Sequence, residues 1–128
     1  MISRLNKKYR RIRLKVASHW LSRLKGLLGR DRAIRGDLGL WISPCRAIHT
    51  VGMRFPIDVA FIDRKGKVRL LVRNMPPGRF AFCFRAVSVV ELSINDTDTC
   101  LRYRRRIELA IHRQFVVKQA MSSHTYKK

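Results

Sequence analysis

Hydrophobic and polar residues alternate along much of this chain, and the alternation predicts strands. In "RIRLKVA", Ile12, Leu14 and Val16 alternate with Arg11, Arg13 and Lys15, the pattern of a half-exposed strand. "DLGLWI", ahead of Pro44, reads as a second strand. Farther on, Phe55, Ile57, Val59 and Phe61 fall on one face of a strand and Pro56, Asp58, Ala60 and Ile62 on the other. "DRKG" follows as a hairpin turn in which Gly66 takes a positive φ, and "KVRLLVR" returns as the partner strand. Adjacent prolines make "NMPPGR" a loop. "FAFCFRAVSVVEL" supplies one bent strand or two short ones broken near Arg85.

Helical spacing enters near the amino terminus. Ser18 caps "HWLSRLKGLL", which places Trp20, Leu24, Leu27 and Leu28 on one face before Gly29 stops the helix. Toward the other end, Ser93 or Asp96 starts a short helical turn, "IELAI" closes the sheet as a strand, and the pattern fades from Phe115 onward. These elements predict one β-rich α+β domain: a mostly antiparallel curved sheet or half-open barrel with one N-terminal helix packed on it. Residues 1–9 read as a flexible basic arm, 10–114 as the globular domain and 115–128 as a fraying tail.

Charge changes this picture more than size does. The 128 residues suffice for a single core, and a hydrophobic content of 46% argues for folding. Yet 29 basic side chains face only 8 acidic ones, a net charge of +21. Self-repulsion on this scale is relieved by an acidic partner, nucleic acid or an anionic surface. Two segments concentrate the charge, "NKKYRRIRLK" with Lys7, Lys8, Arg10 and Arg11, and "RYRRR" with Arg102, Arg104, Arg105 and Arg106. Each interleaves a tyrosine, Tyr9 or Tyr103, as a stacking surface for single strands would. Solvated edge strands carry the same charges simply to avoid pairing with other chains. The odd number of cysteines, with Cys83 in an apolar run, points to a reducing compartment. Without an apolar stretch after the basic amino terminus, or one long enough to span a bilayer, the expected location is the cytoplasm.

The series "RLKGLLGR…LGLWISPCRAIHTVGMRFPIDVAFIDRKGKV…PPGR…VVEL" resembles the domain of unknown function 192 family over roughly Trp20 to Leu92. The resemblance implies a compact β-rich α+β domain whose activity is not established. Some members carry leaders or lipid anchors, and some are encoded near secretion or pilus-assembly genes. Thr50 of "AIHT" finds a counterpart in another branch of the family, whereas Cys45 and His49 do not. After "VVEL" this chain lacks the family's glycine-containing continuation.

The chemistry-bearing residues cluster in "CRAIHTVGMRFPIDVAFID". A thiol nucleophile needs a base in reach, and Cys45 with His49, oriented by Asp58 or Glu91, is the candidate set. It lacks the glycine-rich elbow or helix start that builds an oxyanion hole. Zinc is not expected, because the three-residue gap between Cys45 and His49 has no second paired spacing among Cys83, Cys100, His19 and His112. No cofactor is expected either. Asp58 and Glu91 lie within apolar runs and must find partners. Arg54 is four residues from Asp58, about 13 Å along a strand, which makes Arg79 the better outside cation. His49, Thr50, Arg54, Asp58, Arg79 and Glu91 are therefore read as a buried polar network or the lining of a small pocket. The favoured reading is a small non-catalytic binding or accessory domain. A thiol enzyme using Cys45 and His49 is the alternative, and a non-specific nucleic-acid-associated basic protein the second.

Overall fold

The computed structural model describes residues 11–17 and 38–125. The expected helix after Ser18, the basic arm with Lys7, Lys8 and Arg10, and Tyr9 lie outside the described residues. Within them the chain forms β1 (Arg13–Ala17), β2 (Leu38–Ile42), β3 (Ala47–His49), β4 (Ile57–Ile62), β5 (Val68–Met75), β6 (Phe80–Phe82), β7 (Ser88–Leu92) and α1 (Cys100–Thr125). A five-stranded sheet has the order β1-β2-β7-β4-β5, and β3 pairs with β6 in a separate two-stranded ribbon.

Two parts of the expected fold are corrected. The sheet is mixed, not the expected mostly antiparallel curved sheet or half-open barrel, and it does not close: its edge strand β1 runs parallel to β2, while the other pairs are antiparallel. The helix that covers it, among the described residues, is C-terminal. "IELAI" lies within this helix and adds no strand, and the segment from Phe115, read as a fraying end, continues the helix to Thr125. The physical reason is a stripe at helical spacing, Tyr103, Ile107, Ala110 and Ile111, which is buried against Ile12, Ala60, Ile62, Val68, Val90 and Leu92. Thr99 caps the helix, its hydroxyl oxygen accepting the Arg102 N–H at 3.2 Å.

The opposite face of the sheet carries a second cluster, with Ile57, Val59 and Phe61 packed against Ile48, Met75, Ala86 and Val89. The alternation of β4 is thus as expected for Ile57, Val59 and Phe61, and partly buried Phe55 packs on the same cluster. Because β4 sits between β7 and β5 with both faces covered, all six of its residues are buried. The β4–β5 hairpin turns through Gly66 at φ 81°. Asp63 organises the turn by accepting the N–H groups of Lys65 and Lys67, each at 2.9 Å, and the Arg69 guanidinium at 2.8 Å.

Candidate functional site

The residues grouped by sequence separate into three places. Asp58 and Glu91 are both buried, but cross-strand register sends them to opposite faces. Asp58 pairs with Leu92 and turns toward α1, whereas Glu91 pairs with Val59 and Leu40 on the other side. The register thus places them on different faces of the sheet.

Asp58 is the hub of a joint between sheet and helix. A register shift in the β4–β5 ladder places a bulge opposite it, with Asn74 at φ 57°. One carboxylate oxygen accepts the Asn74 N–H at 2.8 Å, and the other accepts the Asn95 N–H and the Tyr103 hydroxyl, both at 2.8 Å. The Arg73 guanidinium lies over the Tyr103 ring, 5.2 Å from its centroid, and donates to the Asn95 carbonyl. Burial, reinforced by the Asp58 charge and the hydrogen bond to it, pushes the Tyr103 phenol well above its ordinary pKa, so it stays a donor. Asp98 just ahead of the helix accepts from Asn95, 2.8 Å away, and from Arg106, with Arg102 at 3.5 Å. Burial opposes its charge, but these donors hold its pKa below the usual carboxylate value.

This joint redraws the expected basic surface. Tyr103 is only 1% exposed and offers no stacking face. Arg102 and Arg106 are paired with Asp98, and Arg104 donates to the Val68 carbonyl at 3.2 Å. Arg105 and Arg11 are exposed.

Thr50 does a different job. It is fully buried, its hydroxyl donating to the Pro76 carbonyl at 2.7 Å and accepting the Arg79 N–H at 2.9 Å. Its own backbone N–H and carbonyl bond Arg79 and Gly78, each at 2.9 Å. "PPGR" is thereby tied to the end of β3, and Arg79 contributes its main chain here while its side chain is exposed. Arg54 is likewise exposed. The half-buried Cys45 packs on the second cluster, on the sheet face opposite α1, and its thiol donates to the Ala47 carbonyl at 3.0 Å. His49 is exposed instead, its ring 6.0 Å from that of Phe80. Thiol and imidazole serve different faces of the ribbon. Among the described residues no three His, Cys, Asp or Glu side chains form a group able to hold a metal ion.

What sequence reasoning passed over is the outer face of this ribbon. Register pairs His49 with Phe80 and Ala47 with Phe82, all of them exposed. Phe80, Phe82 and Phe84 stand 79%, 61% and 76% exposed, whereas Ala81 and Cys83 turn inward onto the core. The signal in the sequence is a phenylalanine at every second position between Arg79 and Arg85, with small residues between them. Arg46 lies across from Cys83, whose N–H donates to the Arg46 carbonyl at 3.0 Å.

With this geometry in view, comparison with known proteins places the fold. The model of the DUF192 family, described as an uncharacterized ACR, matches residues 1–100. The chain belongs to this family. None of the curated proteins matches it. A structure of a protein of unknown function from Novosphingobium aromaticivorans superimposes with a TM-score of 0.57 at 18% identity, over 66% of this chain and 64% of that one. A Sinorhizobium meliloti protein described as a "putative transcription regulator" gives 0.55 at 20% identity, over 63% of this chain and 67% of that one. This DUF192 chain therefore spans just under two thirds of the first structure's length, and the likeness concerns the fold alone. Among the described residues, no helix is long and apolar enough to cross a membrane.

Proposed function

We propose that this DUF192 chain is a non-catalytic binding module and that the outer face of the β3–β6 ribbon is its binding face. The supporting observation is the exposure of Phe80 and Phe82 on a ribbon held in place by buried Thr50, with exposed Phe84 in the turn that follows. Each ring left in water forfeits roughly 1.5–3 kcal/mol that burial would return, and a contiguous exposed apolar stripe is the mark of an interaction surface. The thiol reading has less support, since Cys45 packs inward while His49 faces solvent.

The test is a titration of the native chain with 8-anilinonaphthalene-1-sulfonate, an anionic aromatic probe, followed by NMR of assigned aromatic rings. Shifts at Phe80, Phe82 and Phe84 are expected, and they should vanish in the F80S/F82S/F84S variant without loss of fold, because none of these rings supports the core. A second apolar groove, about 460 Å³ and lined by Trp41, Phe115 and Met121, lies between α1 and the sheet. Shifts confined to Trp41 and Phe115 would reject the ribbon as the binding face.

A further inference from the structure

We propose that the β3–β6 ribbon binds single-stranded nucleic acid, with bases stacked on Phe80, Phe82 and Phe84 and phosphates neutralised by Arg46, Arg79 and Arg85. This rests on the reading of the ribbon as the binding face and names what it binds.

Charge is the first argument. Residues 43–56 and 76–87, which form the ribbon and its flanks, contain Arg46, Arg54, Arg79, Arg85 and His49 and no Asp or Glu. Elsewhere Asp58, Asp63, Glu91 and Asp98 are buried, so much of the chain's scarce negative charge is withdrawn from its surface. A polyanion meets cations at both ends of the aromatic stripe and no carboxylate from the ribbon or its flanks.

Spacing separates a single strand from a duplex. Alternate residues of a strand lie about 7 Å apart. Duplex bases are stacked at about half that rise and present only their edges, whereas an extended single strand can splay successive bases onto successive rings. Phe80 and Phe82 are two such alternate residues on β6, and exposed Phe84 and Arg85 follow in the turn that the Ala86 N–H closes onto the Cys83 carbonyl, so that cation, rings and cation succeed one another along the chain as base and phosphate do in a polynucleotide. A lipid surface requires no such register. Rigidity adds to the fit, because Thr50 fixes Arg79, and pairing with His49 fixes Phe80, before any ligand arrives, which reduces the ordering cost of binding.

Fluorescence anisotropy of the full chain with a labelled twelve-nucleotide oligothymidylate, run beside a duplex of equal length and across a salt series, tests this. The single strand should bind at least tenfold more tightly at about 150 mM salt. F80A and F82A should each weaken it about tenfold or more, as expected for loss of a stacking ring. F82L, which keeps the apolar bulk, should also lose affinity, and F82W should retain it. The R46Q/R79Q/R85Q variant should flatten the log–log salt slope by about 2, since each single-strand phosphate neutralised contributes about 0.7. Circular dichroism confirms that each variant is folded. Binding that is equal for duplex, heparin and single strand, and indifferent to the phenylalanine variants, would overturn the proposal in favour of charge alone. Ring-dependent binding to vesicles of 3:1 phosphatidylcholine and phosphatidylglycerol, without oligonucleotide binding, would overturn it in favour of a membrane. Should the sulfonate probe map to the ribbon while the oligonucleotide fails to bind, this proposal falls and the binding-face reading stands.

Discussion

Replacing Tyr103 with Phe removes one oxygen from the joint between helix and sheet and leaves almost everything else in place. The ring remains, 1% exposed, with Arg73 over it at 5.2 Å. Asp58 keeps the Asn74 and Asn95 N–H groups at 2.8 Å but loses the hydroxyl, its third donor, also at 2.8 Å. A hydrogen bond to a charged acceptor contributes roughly 1.5–3 kcal/mol, and that is the expected loss of stability. Against a total of about 5–15 kcal/mol for a domain, the effect is large enough to measure. Urea unfolding at neutral pH, followed by far-UV circular dichroism, should show an earlier midpoint with an unchanged slope, on the order of 1 M for a slope of 1–3 kcal/mol/M. The variant should also couple with Asp58→Asn in a double-mutant cycle by more than about 0.5 kcal/mol, because both act on one bond. A Tyr103→Phe protein within about 0.5 kcal/mol of the parent, or one additive with Asp58→Asn, would refute the joint as described.

Two further outcomes follow from the core and the hairpin turn. Phe61→Ala should cost about 3–5 kcal/mol, since the ring is fully buried within the second cluster, and an unchanged denaturation midpoint would contradict that placement. Burial opposes the Asp63 charge, but the Lys67 and Lys65 N–H groups and Arg69 outweigh it and depress the pKa. Its contribution to stability is therefore complete above an unfolded value near about 4 and is lost as pH falls through the lower folded value. Asp63→Asn should flatten the acid limb of a stability–pH curve below about pH 4; an identical limb in both proteins would show that the turn carries no such linkage.

The strands around the β4–β5 hairpin were legible because alternation, turn residues and a short loop are local properties. Ile57, Val59 and Phe61 share a face in any strand that contains them, whatever it packs against. The C-terminal helix was legible in principle through Thr99 and the spacing of Tyr103, Ile107 and Ile111. Its signal was masked by the arginines around Tyr103, which read as a solvated surface, and by the short apolar run of "IELAI", which fits strand and helix alike. Only the buried carboxylate waiting opposite explains a tyrosine turned inward among arginines.

The remaining features depended on pairing that no local pattern encodes. Whether Asp58 and Glu91 share a face is decided by the register that sets Asp58 against Leu92 and Val59 against Glu91; a slip of one residue would have reversed it. The parallel pairing of β1 with β2 joins segments that are not adjacent in sequence. The ribbon makes the same point most plainly. In "FAFCF" both parities are apolar, so periodicity identifies a strand but cannot choose its inner face. By itself the sequence determined that phenylalanines alternate between two arginines. The tertiary structure decided that they face water, because the β3–β6 ribbon docks through buried Ile48 with Ala81 and, just past β6, Cys83, whose small side chains fit against a core already filled by β4 and β7.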